Sequence, residues 1–529
     1  MNSMLLADGY KLSHAPQYPE GTTLVFDNFT PRGDKYAPIA AKGSVIVFGT
    51  QLAFQQVHEH FAQNFFCSAE RLIFEDHPRH VKALKNRVIS TLKEEFDMYL
   101  GTDYDMSQIE ALWDLGYLPI EVRALDEGTK CPIKIPMLTI HNTHPDFYWV
   151  PNFLETILSN LLWKPMTSAT IAHAYRRILD KWALKTTGST DGVDFQAHDF
   201  SMRGLDSIDA TVSSGLGHLT SFKGTDSLPT LWGARKYYDA EGMVAMSVPA
   251  TEHSVMCAGG KGDELQTYNR LLDLYPTGIV SIVSDTWDLW NVITVILPKL
   301  KDKILARDGK LVIRPDSGDP VDILCGLDGY DLEDISDKVF ESPAYKGVIE
   351  LLWDIFGGTI NEQGYKVLDS HVGAIYGDSI TLQRAEEICE RLEAKGFAST
   401  NVVLGIGSYT YQYNTRDTYG FAMKATYVER KVQNDDYSHE EGGYDIPIYN
   451  TQGYAIFKDP VTDDGGKKSA TGLLAVHKNE TTGELLLVEN AAWDKVNSED
   501  NQLKVRYKDG HFYNQTNFEE IRERVKYAD

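Results

Sequence analysis

Charged residues follow several short apolar runs in this chain, and their types suit a phosphorylated, hydroxyl-bearing ligand. The run Lys310–Ile313 delivers Arg314, Asp316, Ser317 and Gly318 into one turn. Arginine offers a planar fork to phosphate or amide oxygens, aspartate can hold a ribose hydroxyl or Mg²⁺, and Ser-Gly exposes backbone N–H groups. An ordinary turn with a salt-bridged arginine is the competing interpretation.

Two glycine turns could bring backbone N–H groups close to a phosphate, because small residues after a strand permit that approach. Gly407 follows one apolar run and precedes Arg416, which could supply positive charge. Gly377 and Asp378 follow another run, just before a helical pattern. Glycine turns are common in proteins, so a simple chain reversal is the alternative at both places.

A histidine beside a glutamate after a predicted strand could be a base, a nucleophile or a metal ligand. Glu252 and His253 stand in that position, and a hydrogen-bonded structural histidine is the alternative. Phe200 lies close to Arg203, and an aromatic side chain among charged residues suits a flat polar ring. By default, however, Phe200 is a core residue and Asp226 a surface acid or helix N-cap.

Composition limits the classes of partner. The 529 residues are 42% hydrophobic and carry a formal net charge of -25, as expected of a soluble protein that does not bind nucleic acid or anionic membranes. Five scattered cysteines without a CxxC pair argue against a disulfide framework or a structural zinc site, and favour the cytoplasm. No apolar run is long enough to span a bilayer.

Short apolar runs alternate with helical pattern between about residues 190 and 410, which predicts a parallel α/β barrel. The runs are Phe195–Phe200, Leu219–Phe222, Val244–Val248, Gly278–Val283, Lys310–Ile313, Val372–Tyr376 and Val402–Ile406. In such barrels the chemistry lies at the carboxyl ends of the strands, where the polar residues cluster here. We predict a mixed α+β domain built from residues 1–187 and 411–529, flanking a barrel of residues 188–410.

Taken together, these segments resemble the nicotinamide phosphoribosyltransferase family and, more distantly, nicotinate phosphoribosyltransferases. The ordered matches are Asp8–His14, Phe222–Asp226, Val248–Ser254, Val283–Asp288, Ile313–Gly318 and Phe457–Pro460, so they cover nearly the whole chain. The resemblance implies the irregular (β/α) barrel of type II phosphoribosyltransferases. It also implies formation of nicotinamide mononucleotide and pyrophosphate from nicotinamide and phosphoribosyl pyrophosphate, in a homodimer with shared active sites.

The resemblance also implies roles for individual residues. Phe200 and the partner subunit's Tyr10 stack on the pyridine ring, and Asp226 accepts a hydrogen bond from the carboxamide. Arg314 lies near the amide oxygen and the ribose phosphate, and Asp316 near the ribose hydroxyls. The other implied substrate-binding residues are Arg32, Arg203, Gly377, Asp378, Gly407, Arg416 and Lys424.

ATP and Mg²⁺ are the implied cofactors. ATP phosphorylates His253, with Glu252 and Asp285 orienting that ring, and so stimulates the reaction. Mg²⁺ binds mainly through pyrophosphate, with Asp285 or Asp316 as candidate ligands. The chain departs from the family pattern at Ser201, Met202, Ser379 and Ser408, which affects the geometry of the phosphate loops.

A carboxylate at Asp226 would repel nicotinate, so nicotinamide is the expected substrate. Nicotinate phosphoribosyltransferase is the nearest alternative activity. A barrel glycosidase using Glu252 and Asp285 would leave Arg314 and the glycine turns without a role. A non-catalytic binding protein on the same scaffold is the remaining alternative.

Overall fold

The chain forms two compact units in a computed structural model. The structure describes residues 1–327, 342–377, 379–439, 445–458, 461 and 470–528. For residues 434–439 and 445–448 it describes only the backbone. The first unit comprises Met1–Ala37, Lys42–Thr167 and Thr415–Asp529, and the second comprises Pro38–Ala41 and Ser168–Asn414. The units divide after Thr167 and Asn414. The boundaries predicted from the sequence were different and lay after residues 187 and 410.

Strands and helices alternate through most of the chain. The strands are β1 (Thr22–Pro31), β2 (Ser44–Ile46), β3 (Ile120–Ala124), β4 (Lys130–Pro132), β5 (Leu138–Asn142), β6 (Ala197–Asp199), β7 (Gly224–Thr225), β8 (Thr277–Val283), β9 (Asp308–Arg314), β10 (Gly358–Ile360), β11 (Lys366–Leu368), β12 (Val372–Tyr376), β13 (Val402–Ile406), β14 (Phe421–His439), β15 (Asp445–Ala455), β16 (Ala475–Lys478), β17 (Leu485–Val488), β18 (Lys504–Lys508) and β19 (His511–Phe512). The helices are α1 (Thr50–Asn64), α2 (Ser68–Ile73), α3 (Pro78–Leu100), α4 (Ser107–Leu115), α5 (Val150–Thr187), α6 (Ile208–Leu219), α7 (Leu228–Tyr238), α8 (His253–Cys257), α9 (Glu264–Leu274), α10 (Leu289–Asn291), α11 (Leu297–Leu305), α12 (Pro320–Cys325), α13 (Pro343–Phe356), α14 (Leu382–Ala394), α15 (Ser408–Gln412), α16 (Trp493–Val496) and α17 (Phe518–Lys526).

The first unit contains a seven-stranded sheet in the order β15-β14-β1-β5-β3-β18-β19. Neighbouring strands pair antiparallel throughout. Strand β1 lies between β14 and β5, and β3 pairs with β18, so strands from both ends of the chain share one sheet. This is the mixed α+β part of the predicted fold class.

The second unit contains a six-stranded parallel sheet in the order β7-β6-β13-β12-β9-β8. Sheets of this kind are covered on both faces, so their strands are nearly continuous apolar runs. Val280 and Ile282 in β8, and Leu311 and Ile313 in β9, are fully buried in the core of this unit.

The segment 246–250 joins the two edges of this sheet. Gly224 of β7 bridges to Met246, and Ser281 of β8 bridges to Ala250, both in the parallel sense. The Met246 N–H donates to the Lys223 carbonyl (2.8 Å), and the Ser281 N–H donates to the Pro249 carbonyl (2.9 Å). The parallel sheet therefore curls into a barrel that this short segment closes.

Helix α14 shows how the outer helices pack. Thr381 is its N-cap and accepts a hydrogen bond from the Arg384 N–H, and the buried residues Ala385, Ile388, Cys389 and Leu392 form one face. Ser379, which departs from the family pattern, has a left-handed backbone with φ 61° shortly before this helix. Among the described residues, no helix combines the length and apolar character needed to cross a membrane.

Two of the apolar runs predicted as barrel strands were wrong. Val244–Val248 is not a strand, because it forms only an isolated bridge at Met246. Leu219–Phe222 is not a strand, because it contains the end of α6, and the strand is Gly224–Thr225. Residues 133–137 form a turn between β4 and β5. The polar stretch Gln433–Gly443 is strand up to His439, and residues 440–443 lie outside the described residues.

Strand β1 carries a fully buried carboxyl group, Asp27, whose two oxygens have no hydrogen-bond partner among the described residues. Burial, and to a smaller extent the nearby Glu155 carboxylate, raise the pKa of Asp27 to about 7 against the lowering effect of Lys11 and Lys424. Between pH 4 and 7 the folded protein holds a proton that the unfolded chain has released. The stability therefore falls as the pH rises through this range.

We expect Asp27→Asn to unfold at a higher temperature than the parent at pH 8, and at nearly the same temperature near pH 4. Each unit of the pKa difference corresponds to about 1.4 kcal/mol, so the gain is at most a few kcal/mol. Thermal unfolding followed by circular dichroism between pH 4 and 8 measures it, with the exposed Asp76→Asn as control. A constant difference across this range would mean that Asp27 does not change protonation there.

Candidate active site

The carboxyl ends of the barrel strands carry most of the residues predicted to do chemistry. Phe200 follows β6, Asp226 follows β7, Asp285 follows β8, and Arg314 ends β9. Glu252 and His253 follow the closing segment 246–250, Gly377 follows β12, and Gly407 follows β13. Parallel strands present these ends at the same edge of the barrel, so residues distant in sequence meet there.

Phe200 provides a flat apolar surface beside a positive charge. The Arg314 guanidinium carbon lies 5.1 Å from the centre of the Phe200 ring. A Cβ atom on Gly405 of β13 would lie 2.6 Å from the Tyr376 carbonyl oxygen and 2.8 Å from Phe200 Cδ2. Glycine at this position therefore leaves space for the Phe200 ring against β13.

Asp226 is held by two donors. Its Oδ1 lies 2.9 Å from His198 Nε2 and accepts a hydrogen bond of 2.5 Å from the Ser247 hydroxyl. Partial burial favours a higher pKa for Asp226, but the bonds from His198 and Ser247, with the charge of Arg314, hold the pKa below its ordinary value. The carboxyl group is therefore ionised at neutral pH.

His198 and Ser247 were not assigned from the sequence. His198 could have been found from the sequence, because it lies in β6 two residues before Phe200. In an extended chain, this spacing places two side chains on the same face. The sequence around Ser247 gives no such signal, because its position depends on the segment that closes the barrel.

Arg314, Asp316 and Gly377 form a second group at this edge. Arg314 Nη2 lies 3.9 Å from Asp316 Oδ2. Arg314 Nε and Asp316 Oδ1 are buried without a hydrogen-bond partner among the described residues. Such unsatisfied polar atoms are rare in folded proteins, and here both lie close to Gly377, where a Cβ atom would lie 2.9 Å from Arg314 Nε and would overlap Asp316 Oδ1. Glycine at this position therefore lets both polar side chains pack against the end of β12.

Asp285 links this group to the histidine. Its Oδ2 accepts hydrogen bonds from the Asp316 N–H (2.9 Å) and the Ser317 hydroxyl (2.6 Å), and its Oδ1 lies 3.4 Å from His253 Nε2. The His253 side chain is 47% exposed, so a ligand in solution can reach the ring. Glu252 accepts a hydrogen bond from the Ser254 hydroxyl.

For the remaining predicted residues of the second unit, the structure gives fewer contacts. Arg203 is exposed in a turn of 3₁₀ helix, Met202–Gly204. Gly407 precedes α15 with φ −81°, a conformation open to any residue. Asp378 lies outside the described residues. Within the part of the chain that the structure describes, no three His, Cys, Asp or Glu side chains group as metal ligands do.

Tyr10 belongs to the first unit, where its ring is 58% exposed. Helix α5 holds the residues around it. The buried Lys11 Nζ lies 2.6 Å from Glu155 Oε2, and Asn152 Oδ1 lies 2.7 Å from His14 Nδ1. The backbone beside Tyr10 is therefore fixed while its ring stays accessible.

Three basic residues of the first unit were also predicted to contact phosphates. Lys424 lies on β14, and Arg32 lies just beyond the end of the neighbouring strand β1. Arg32 Nε donates to the Gly420 carbonyl (3.1 Å). Lys424 Nζ lies 3.3 Å from Glu155 Oε1 and remains half exposed. Arg416 Nη2 lies 3.6 Å from Asp417 and is also half exposed.

Comparison with known proteins identifies the family. Residues 195–438 match the nicotinate phosphoribosyltransferase (NAPRTase) family, and residues 2–97 match the N-terminal domain of nicotinamide phosphoribosyltransferase. A protein of Acinetobacter baylyi named nicotinamide phosphoribosyltransferase is 45% identical, over 99% of this chain and 97% of its own. The chain belongs to the nicotinamide phosphoribosyltransferase family. A member from Mycoplasma pneumoniae is 35% identical, over 81% of this chain and 90% of its own.

Membership of the nicotinamide phosphoribosyltransferase family confirms the resemblance found in the sequence and makes the chain a pentosyltransferase by family. A solved nicotinate-nucleotide pyrophosphorylase from Pyrococcus furiosus superimposes with a TM-score of 0.51 at 15% identity, covering 99% of this chain and 95% of its own. The predicted fold class, the barrel of type II phosphoribosyltransferases with a mixed α+β part, is thereby confirmed.

We expect Gly377→Ala to lower phosphoribosyltransferase activity by about ten-fold or more, because small displacements of positioning groups are costly. The new methyl group must displace Asp316 or Arg314. Both are side chains that can move, so the melting temperature should change by no more than about 4 °C.

Gly373→Ala on the same strand is the matched control. Its Cβ atom would meet nothing closer than Lys310 Cδ at 3.3 Å, so it should leave the activity nearly unchanged. Full activity of Gly377→Ala would show that the placement of Asp316 and Arg314 against this glycine is not needed for the reaction.

Proposed function

We propose that this protein transfers the phosphoribosyl group of phosphoribosyl pyrophosphate to the ring nitrogen of nicotinamide, in the salvage of NAD. The observation that carries the proposal is the ionised Asp226 at the barrel edge that also holds Phe200 and Arg314. A fixed negative charge accepts a hydrogen bond from a carboxamide NH₂ and repels the carboxylate of nicotinate.

In this proposal the pyridine ring stacks on Phe200, and Tyr10 of the partner subunit of a homodimer covers its other face. The exposure of the Tyr10 ring, on a segment fixed by Lys11 and His14, supports that role. Asp226 accepts from the carboxamide nitrogen. Arg314, whose Nε lacks a partner within the described residues, donates to the amide oxygen or the ribose phosphate.

Asp316 binds the ribose hydroxyls, since its Oδ1 is buried and also lacks a partner in the described part of the chain. The other proposed contacts of the phosphoribosyl and pyrophosphate groups are Arg32, Arg203, Gly377, Asp378, Gly407, Arg416 and Lys424. Among them, Arg32, Arg203, Arg416 and Lys424 bring positive charges that offset the phosphates in a chain whose net charge is -25. The proposed location of such an enzyme is the cytoplasm, without nucleic-acid or membrane partners.

The chemistry requires little proton transfer. The pyridine nitrogen already carries a free lone pair, so no general base is needed to make it a nucleophile. The protein aligns this nitrogen with the anomeric carbon and stabilises the departing pyrophosphate, and each contribution can be worth several kcal/mol. The transition state resembles an oxocarbenium ion, and the anomeric carbon inverts.

Asp285 or Asp316 would supply a carboxylate to a magnesium ion, since carboxylates are ligands that Mg²⁺ prefers. Asp285 Oδ1 is buried and has no hydrogen-bond partner among the described residues. When bound through pyrophosphate, the ion would offset charge on the leaving group. Asp285 also faces His253, where it would stabilise a charged ring during the proposed phosphorylation by ATP.

The first test offers the purified protein equal amounts of nicotinamide and nicotinate, with phosphoribosyl pyrophosphate, Mg²⁺ and ATP. Mass spectrometry of the products should find mainly nicotinamide mononucleotide. Mainly nicotinate mononucleotide would identify a nicotinate phosphoribosyltransferase instead. Formation of neither product would favour a binding protein on this scaffold.

Replacing Asp226 tests the specificity directly. Asp226→Asn keeps the shape of the side chain and removes its charge, so the preference for nicotinamide over nicotinate should fall by about ten-fold or more. The ratio of the two kcat/KM values measures this preference. Asp209→Asn, an exposed change on α6, should leave the ratio unaltered. An unchanged ratio in Asp226→Asn would place the discriminating charge elsewhere.

Phosphorylation of His253 predicts a measurable intermediate. Incubation with ATP labelled in the γ-phosphate should leave acid-labile label on the protein, as a phosphohistidine does. His253→Gln should abolish the label, whereas His144→Gln, at another exposed histidine, should keep it. Label that survives in His253→Gln would mean that another residue accepts the phosphate.

A further inference from the structure

Both donors to Asp226 converge on the same oxygen. His198 Nε2 and the Ser247 hydroxyl lie 2.9 Å and 2.5 Å from Oδ1. The other oxygen, Oδ2, accepts no hydrogen bond from the described residues. A carboxylate held at one oxygen by two donors cannot rotate freely, so Oδ2 keeps one orientation.

The position of His198 is fixed by its neighbours. Its ring packs against Phe200 with the ring centres 4.7 Å apart. A Cβ atom on Gly224 would lie 2.7 Å from His198 Nδ1, so glycine at that position makes room for the imidazole. The imidazole is therefore held between the aromatic side chain and the backbone of β7.

The position of Ser247 is fixed by the closing segment. Its neighbour Met246 donates to the Lys223 carbonyl at 2.8 Å and accepts from the Thr225 N–H at 3.2 Å. These two backbone bonds attach the segment to β7, immediately before Asp226. The distance between the Ser247 hydroxyl and the Asp226 carboxylate is thus set by the barrel backbone.

We propose that Ser247 and His198 are positioning residues for substrate selection, which saturate Oδ1 of Asp226 and leave Oδ2 as the acceptor for the carboxamide N–H. This inference rests on the proposed function. An amide can donate to Oδ2, but a carboxylate cannot, and a fixed Oδ2 cannot turn away from it. Selectivity therefore depends on the two donors as well as on the charge they orient.

Ser247→Ala removes one donor without changing the charge of Asp226. Its KM for nicotinamide should rise by about ten-fold, the effect of losing one hydrogen bond to a charged group. The kcat and the KM for phosphoribosyl pyrophosphate should stay within about two-fold, because a ground-state contact to one substrate is lost. The preference for nicotinamide over nicotinate should fall with the rise in KM.

Ser247→Thr keeps the hydroxyl and should restore most of the parent selectivity. Ser213→Ala is the matched control, because the Ser213 hydroxyl donates to the Asp209 carbonyl within α6. Equal rises in the KM of both substrates, or unchanged selectivity in Ser247→Ala, would overturn the proposal. If Ser247→Ala does not fold, the His198 variants decide.

His198→Gln retains an N–H donor on its side chain, and His198→Ala does not. The first should therefore keep more of the selectivity than the second. In the Asp226→Asn background, Ser247→Ala should cost less than in the parent, because residues of one network are not additive. Equal selectivity of the two His198 variants would overturn the proposal. So would an equal effect of Ser247→Ala on selectivity in the parent and in the Asp226→Asn background. Failure of the parent protein to form nicotinamide mononucleotide would instead overturn the proposed function.

Discussion

The closure of the parallel sheet is the constraint on which the candidate site depends. Strands β8 and β7 form opposite edges of the six-stranded sheet, and the segment 246–250 bridges to both. The same short segment carries Ser247 to Asp226 and leads directly into Glu252 and His253. The closure of the barrel and the placement of its polar residues therefore depend on the same segment, and a shift of this segment would disturb both.

Two aspartates show how burial and hydrogen-bond donors together set the charge of a carboxyl group. Asp27 has no donor among the described residues, and burial raises its pKa to about 7. Burial also favours the neutral form of Asp226, but His198 and Ser247 outweigh it and lower the pKa. In the proposed reaction this difference matters, because a fixed negative charge accepts a hydrogen bond from an amide and repels a carboxylate.

Sequence patterns predicted the barrel where strands are long and continuously apolar, as in β8, β9, β12 and β13. They failed at β7, because two residues are too few to form a pattern and the apolar run before it ends a helix. Arg314 and Asp316 could be predicted because they directly follow a clear strand. Ser247 could not, because its role comes from a backbone bridge between residues far apart in the chain.

In the first unit, the Glu155 carboxylate forms ion pairs with Lys11 and Lys424, which are more than four hundred positions apart in the chain. Glu155 lies 2.6 Å from the Lys11 ammonium through one oxygen and 3.3 Å from that of Lys424 through the other. Lys11 is buried, so removing Glu155 would leave an unpaired internal charge, which is far more costly than the pair itself is stabilising. The pair therefore specifies geometry more than it adds stability. It places the segment that bears Tyr10 relative to a cation on β14, the strand that pairs with β1 near the other end of the chain.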